Sequence, residues 1–351
     1  MKSFTDQYLN SIQLTPQLFN LTNALSEYRG KEELYEKQSP ETLHRLLEVA
    51  KVESAESSNR IEGIEVAHKR VEAIVVKNSQ PRNRSEQEVS GYRDALDRIH
   101  TTYSGLPVSL NTILLLHEFL YKHTETPGGF FKREDNRIVD RLKDGTIRER
   151  FRPVAAALTY DAMKQLVDNF NYLTRQSHYS QLLLIPLFIL DLLCIHPFSD
   201  GNGRVARLLT LLLLYQAGYK VGKYISLERI VEQSKETYYE ALEKSSRGWH
   251  EGAHDVTPWQ HYFYGTLLAA YKEFEQRVGI IRRRSGNKRA QLIETIREYN
   301  GKFSISNLEV VCPNISRDMI RKVLRELRDQ GLIKSDGFGR NAKWFKIGKL
   351  S

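Results

Sequence analysis

The sequence predicts a mainly α-helical chain in more than one domain. Three observations lead there. Apolar residues recur at helical spacing along most of the 351 residues. Two Leu-rich runs, Gln181 to Ile195 and Arg204 to Gln216, meet around one short loop and would form the buried centre of a bundle. The basic stretch IRRRSGNKRA, Ile281 to Ala290, then breaks the pattern with Ser285 and Gly286 and reads as a linker.

In chain order, Leu43 to Lys77 supplies one or two amphipathic helices, and Glu86 to His100 and Leu110 to His123 supply two more. Leu158 to Thr174 precedes the two Leu-rich helices, and Gly218 after Ala217 stops the second of these. Leu227 to Val231 and Lys235 to Ser245 follow. Pro258 to Arg277 then spaces Trp259, Phe263, Leu267 and Phe274 for burial on one face.

Composition narrows the class. Hydrophobic residues at 40% and charged residues at 27% are ordinary globular values, and the length exceeds one comfortable core. The longest apolar run is broken by Pro186 and Asp191, and the first residues lack a hydrophobic signal core, so a cytoplasmic protein without a membrane partner is expected. Cys194 and Cys312 stand alone, with neither metal spacing nor a disulfide framework. The net charge of +9 favours polyanions without selecting DNA over ATP or an acidic protein.

The chemistry concentrates in HPFSDGNGRVAR, His196 to Arg207. Gly201, Asn202 and Gly203 permit a tight turn at a helix start, where converging N–H groups form an anion site. Arg204 and Arg207, three apart, would share a helix face and reach different phosphates of one ligand. Asp200 is a hard oxygen donor suited to Mg²⁺ held between protein and phosphates. His196 could take the proton from an incoming hydroxyl. The segment also fits a loose G-x-G-x-x-A fingerprint, but no βαβ alternation surrounds it, and Tyr224 after Gly222 and Lys223 excludes a Walker loop.

HPFSDGNGRVAR resembles the signature of the Fic family, HxFx(D/E)GNGRxxR, at every specified position. The resemblance implies a Fic-type helical bundle that moves AMP from ATP, with Mg²⁺, onto a Ser, Thr or Tyr hydroxyl of a target protein or of itself. His196 would then be the general base and Asp200 the Mg²⁺ ligand. The loop and helix start from Gly201 to Arg207, including Asn202, Gly203, Arg204, Val205 and Ala206, would hold ATP. Arg204 would take the α/β phosphates and Arg207 the γ phosphate, while Phe198 packs beneath the loop.

Three further segments fit that family. SSNRIEG, with Ser58 four residues before Glu62, resembles the (S/T)xxxE(G/N) inhibitory helix, here near residues 54–66. A glutamate there would pair with Arg207 and compete with the γ phosphate. PGGFFKREDNRIV, Pro127 to Val139, resembles the flap hairpin that aligns the target by strand addition, with Ile138 and Val139 on the docking strand. Asp144 and Gly145 offer its turn, Ile147 to Phe151 the return strand, and the flap spans 127–151. Here Lys132 stands where Arg is frequent and Val139 where Gly is frequent. YYEAL, from Tyr238, resembles the helix walling the adenine pocket, and adjacent Tyr238 and Tyr239 cannot both face one ligand.

Beyond the linker at 281–288 the chain resembles a winged helix-turn-helix over 289–351. Helices are expected at Arg289 to Asn300, Ile305 to Val311 and Ser316 to Gln330, with a short segment at Ser304. Strands at Leu332 to Lys334 and Lys343 to Lys346 would flank a tip at Asp336 to Arg340. Arg317, Arg321, Lys322, Arg325 and Arg328 make the last helix basic, a footprint for DNA or a protein partner. The organisation read from the sequence is thus a helical region at 1–100, a catalytic core at 101–280, a linker and the winged module. Three functions stay open: an adenylyltransferase restrained by Glu62, a Fic enzyme mainly removing AMP, or a DNA-binding regulator whose Fic fold senses nucleotide. A homodimer follows only by analogy with related proteins.

Overall fold

A computed structural model describes residues 2–38, 40–141, 146–282, 288–299, 302–313, 315–337 and 342–347. The expected turn at Asp144 and Gly145, Ser285 and Gly286 of the linker, and Arg340 at the wing tip lie outside them. The chain is mainly helical, with two small antiparallel sheets among the described residues. It divides into two compact units, Met1–Leu34 with Leu46–Tyr271 and Tyr35–Arg45 with Lys272–Ser351.

The helices in chain order are α1 (Asp6–Ser11), α2 (Pro16–Gln38), α3 (Pro40–Ile61), α4 (His68–Lys77), α5 (Arg84–Thr102) and α6 (Leu110–Tyr121). Strands β1 (Ile138–Arg141) and β2 (Ile147–Phe151) precede α7 (Ala156–Gln176), α8 (Gln181–Ile195) and α9 (Asn202–Gln216). Then come α10 (Leu227–Gln233), α11 (Lys235–Ser246) and α12 (Thr257–Arg282).

At the centre of the first unit α8 packs between α7 and α9, while α5 packs on α4, α6 and α9. Nearly every α8 side chain is buried, including Pro186 and Asp191, as its all-round apolar sequence requires. Pro186 has no N–H, so the carbonyl of Leu182 four residues earlier loses its helical partner. Tyr264 of α12 donates its hydroxyl to that carbonyl at 2.8 Å, and Trp259 donates its indole N–H to the Pro186 carbonyl at 2.9 Å. The Tyr264 bond satisfies in the core the carbonyl that the proline orphans, and the Trp259 bond adds a second tie between α8 and α12.

Two boundaries differ from the sequence reading. Helix α9 starts at Asn202, two residues before the Arg204 start expected from the sequence, because Gly201 takes a left-handed φ of 82° and acts as its N-cap. Helix α3 stops at Ile61, since Gly63 is left-handed at 82° and the Ile64 N–H returns to the Asn59 carbonyl at 3.0 Å. Glu62 therefore stands at the end of a helix rather than within one.

The second unit contains α13 (Lys288–Glu298), β3 (Phe303–Ser304), α14 (Ile305–Val311), α15 (Arg317–Asp329), β4 (Ile333–Asp336) and β5 (Lys343–Lys346). The strands form a three-stranded antiparallel sheet in the order β3-β5-β4. Leu292, Ile296, Phe303, Leu308, Ile320 and Leu324 meet in one core. In α15 the buried Ile320, Val323, Leu324 and Leu327 follow helical spacing, which turns the intervening basic residues outward. Ser304 caps α14 through a reciprocal capping box with Asn307.

The proline repair is testable. Tyr264→Phe leaves the Leu182 carbonyl buried without a partner and is expected to cost about 1–3 kcal/mol in the denaturant midpoint. An unchanged midpoint would contradict that role.

Candidate active site

The loop from His196 to Gly201 turns the chain from α8 into α9, and its own side chains hold it closed. Asn202 accepts from the Phe198 N–H at 2.9 Å and donates back to the Phe198 carbonyl at 2.7 Å. Phe198 is fully buried and stacks on His117 of α6, ring centroids 3.8 Å apart. The Gly129 N–H donates to His117 Nδ1 at 2.9 Å, and the Asp200 carbonyl accepts from Nε2 at 3.1 Å. Those partners demand a neutral ring protonated at Nε2, in keeping with burial that lowers its pKa to about 4.

His196 closes α8 in a left-handed conformation, φ 52° and ψ 62°. A carbonyl can only accept, so its Nδ1 carries the proton given to Leu193 O at 3.2 Å and Nε2 keeps a lone pair. Burial and the cation of Lys132 lower its pKa to about 4 against the opposing pull of Glu62. The ring is therefore neutral at physiological pH.

An open cleft of about 330 Å³ collects His196, Gly203, Arg207, Glu62, Tyr238 and Tyr239, with Ile138, Val139 and Arg150 from the hairpin. Inside it Glu62 Oε1 lies 2.7 Å from Arg207 Nη2. Ser58, one helical turn earlier, accepts from Arg207 Nε through its hydroxyl and from Nη2 through its carbonyl, both at 2.9 Å. A Cβ at Gly203 would collide with the Glu62 carboxylate, so this carboxylate lies against the first turn of α9. Glu62 thus occupies the anion position that the helix start and Arg207 create together.

Strand β1 pairs with β2, Val139 opposite Glu149 and Ile138 opposite Phe151, with a bulge between Ile138 and Val139. Val139 is exposed, as an edge residue offered to a partner strand is. Arg150 of β2 lies over the Tyr239 ring at 5.2 Å. Tyr238 is buried against Trp259 and Tyr262, whereas Tyr239 is half-buried, which separates the adjacent pair as helix geometry requires.

Other motif residues are placed elsewhere. Val205 and Ala206 are buried in the core, and the Val205 N–H is used by the Gly201 carbonyl at 2.9 Å, so neither presents a group to the cleft floor. Arg204 does not line the cleft with Arg207. Its guanidinium, 1% exposed, meets Glu88 of α5 at 2.5 Å, Tyr121 Oη at 3.2 Å and Asp200 Oδ2 at 3.4 Å. Spacing alone does not foresee this, because Glu88 captures the first arginine from another helix. Glu88 did leave a signal: with Tyr92, Ala95 and Ile99 it falls on the apolar phase of α5, where a carboxylate needs a buried partner.

Asp200 accepts from Tyr121 Oη at 2.7 Å and from the Gly201 N–H at 2.7 Å, while its side chain stays 70% exposed. Burial acts to raise its pKa, but Tyr121 and the Arg204 charge outweigh this and hold it low. Among the described residues no cluster of three metal-ligating side chains occurs. An exposed, ionised carboxylate fits a Mg²⁺ whose remaining ligands are phosphate oxygens and water.

Residues 107–214 match the model of the Fic/DOC family. This segment carries α6, the hairpin, α7, α8 and most of α9, but not Glu62 or the second unit. Similar solved structures include a Fic family protein from Desulfovibrio desulfuricans G20, 20% identical, covering 96% of this chain and 98% of that one with a TM-score of 0.62. A Fic domain containing signaling protein from Bacteroides thetaiotaomicron VPI-5482 is 21% identical over 71% of this chain and 95% of that one, TM-score 0.60. Fic-1 from C. elegans is 18% identical over 76% of this chain and 72% of its own, TM-score 0.57. These likenesses establish the Fic fold. Among the described residues no helix is long and apolar enough to cross a membrane.

The buried histidines make stability depend on pH. His117, His196 and His254 are each lowered to about 4, so below the ordinary value of 6.5 the unfolded chain binds protons that the folded chain refuses. Stability should fall as pH drops from about 6.5 to about 4, measured by denaturant midpoints. A flat profile across that window would contradict the neutral assignment.

Proposed function

We propose that the protein is a Fic enzyme that transfers AMP from ATP to a Ser, Thr or Tyr hydroxyl of a target protein or of itself, and that Glu62 restrains it. The observation that carries this reading is one cleft holding a neutral base, a helix-start anion site and a carboxylate of the chain's own in that anion site. Tyr239 and the Tyr238 wall offer an aromatic surface for the base of the nucleotide. Exposed Val139 on β1 offers an edge on which a target strand can add, bringing its hydroxyl toward His196.

In the reaction His196 Nε2 takes the hydroxyl proton as the oxygen bonds to the α phosphorus, and the bond to the bridging α–β oxygen breaks to release pyrophosphate. A Mg²⁺ held by Asp200 would neutralise phosphate charge when bound. Gly203 and Arg207 provide the anion site for the triphosphate tail once Glu62 leaves it. Arg204, tied to Glu88, acts on the orientation of Asp200 and supports the turn from beneath.

Transfer of α-labelled ATP followed by intact mass tests this reading. Glu62→Gly should raise labelling roughly tenfold or more, since a charge-assisted bond of about 2 kcal/mol ceases to oppose the nucleotide. His196→Ala in that background should abolish label while ATP still binds. Equal labelling in parent and Glu62→Gly would remove Glu62 from regulation, and label surviving without His196 would remove the base.

A second reading concerns the C-terminal unit alone. We propose that its helices and three-stranded sheet form a winged helix-turn-helix that binds DNA through α15, whose Arg321, Lys322, Arg325 and Arg328 are exposed. Arg321 pairs with Asp318 and Arg328 with Asp329, which leaves Lys322 and Arg325 to carry more of the field. Charge reversal at Lys322 and Arg325 should weaken duplex binding and flatten its salt dependence. Salt-independent binding by the parent would favour a protein partner.

A further inference from the structure

The base loop is fastened from the hairpin side by two residues the proposed chemistry leaves unused. Lys132 is 4% exposed, and its Nζ donates to the Ile195 carbonyl at 3.2 Å and to Asn136 Oδ1 at 2.7 Å. Asn136 Nδ2 donates to the His196 carbonyl at 3.3 Å and the Phe198 carbonyl at 3.0 Å. The remaining carbonyl, of Pro197, accepts from the Lys132 backbone N–H at 2.8 Å. Every carbonyl from Ile195 to Phe198 is therefore held by Lys132 or Asn136.

This bracket surrounds the one strained residue of the loop. A left-handed conformation is strained for a residue with a side chain and persists where its surroundings over-determine it. The bracket is also continuous in sequence with β1, which begins at Ile138, two residues after Asn136.

We propose that Lys132 and Asn136 are positioning residues that hold His196 in its left-handed, base-competent pose and join that pose to the docking strand. The proposal rests on His196 as the base. A buried primary amine is costly unless it is used: burial pushes the Lys132 amine down to about 8, with Asp135 opposing. The charged groups facing His196 are Lys132, Glu62 and Arg150. Removing Lys132 deletes a cation that disfavours the imidazolium, and loosening the loop admits water to the ring, so both effects raise the His196 titration midpoint.

The test uses the full chain. Lys132→Met, Asn136→Ala and Lys132→Arg are made in the Glu62→Gly background, and the maximal self-labelling rate, the ATP concentration for half that rate and the His196 imidazole titration by NMR are measured. The His196 signal is assigned by its loss in His196→Ala. Lys132→Met and Asn136→Ala should each lower the maximal rate roughly tenfold or more, because a misplaced base loses near-attack geometry. The ATP requirement should change by less than about threefold and the His196 midpoint should rise. Lys132→Arg, which keeps charge and donors, should recover most of the rate. An unchanged rate and midpoint in the folded variants overturns the proposal; if Lys132→Met does not fold, Asn136→Ala decides alone. Absence of label in Glu62→Gly itself would remove self-transfer from the functional reading, and the His196 midpoint would still decide the bracket.

Discussion

The pairing of Glu62 with Arg207 joins positions 145 residues apart, and the geometry of the cleft depends on it. It requires α3 to end at Ile61 so that Glu62 is carried beyond the helix, and α9 to begin at Asn202 so that Gly203 and Arg207 face the same space. Ser58 completes the contact one turn back, with its hydroxyl and its carbonyl on the same guanidinium. Arg207 is buried, and burial alone would disfavour its charge; the neighbouring Glu62 outweighs this and raises its pKa. A buried guanidinium stripped of Glu62 needs another anion. The proposed terminal phosphate would meet that requirement.

The two arginines of the motif divide the work. Arg207 answers to Glu62 at the cleft, whereas Arg204 is committed to Glu88, Tyr121 and Asp200 behind the turn. Such a buried pair adds little net stability against an apolar alternative but penalises any arrangement that leaves one member alone, so it specifies the path of the turn. The stacked, neutral His117 under Phe198 acts in the same direction. The loop is thus tied by its own contacts without any ligand, and a preorganised turn would need no rearrangement in the proposed reaction.

Much of this was legible in the sequence. The Leu-rich runs announced α8 and α9, Gly218 the stop of α9, and the resemblance of SSNRIEG to an inhibitory helix implied the contact on Arg207. Other parts were hidden for identifiable reasons. Arg204 and Arg207 look equivalent at three-residue spacing, and only the tertiary approach of α5 tells them apart. Val205 and Ala206 sit inside the motif yet face the core, because a helix turns about 100° per residue. The segment before α3 fell within the helical region expected at 1–100, but α1 and α2 were not placed individually, α2 carrying little apolar periodicity. Lys132 and Asn136 lie in a polar stretch whose partners are backbone carbonyls, and no side-chain pattern in sequence encodes a carbonyl.

The central claim is that Glu62 occupies the place of a nucleotide's terminal phosphate, and equilibrium binding by calorimetry tests it without any chemistry. ATP and AMP are compared on the parent and on Glu62→Gln, which keeps the shape of the side chain and removes its charge. The account predicts tighter ATP binding in the variant and unchanged AMP binding, since AMP has nothing to place at Gly203 and Arg207. Equal gains for both nucleotides, or none for either, would contradict it.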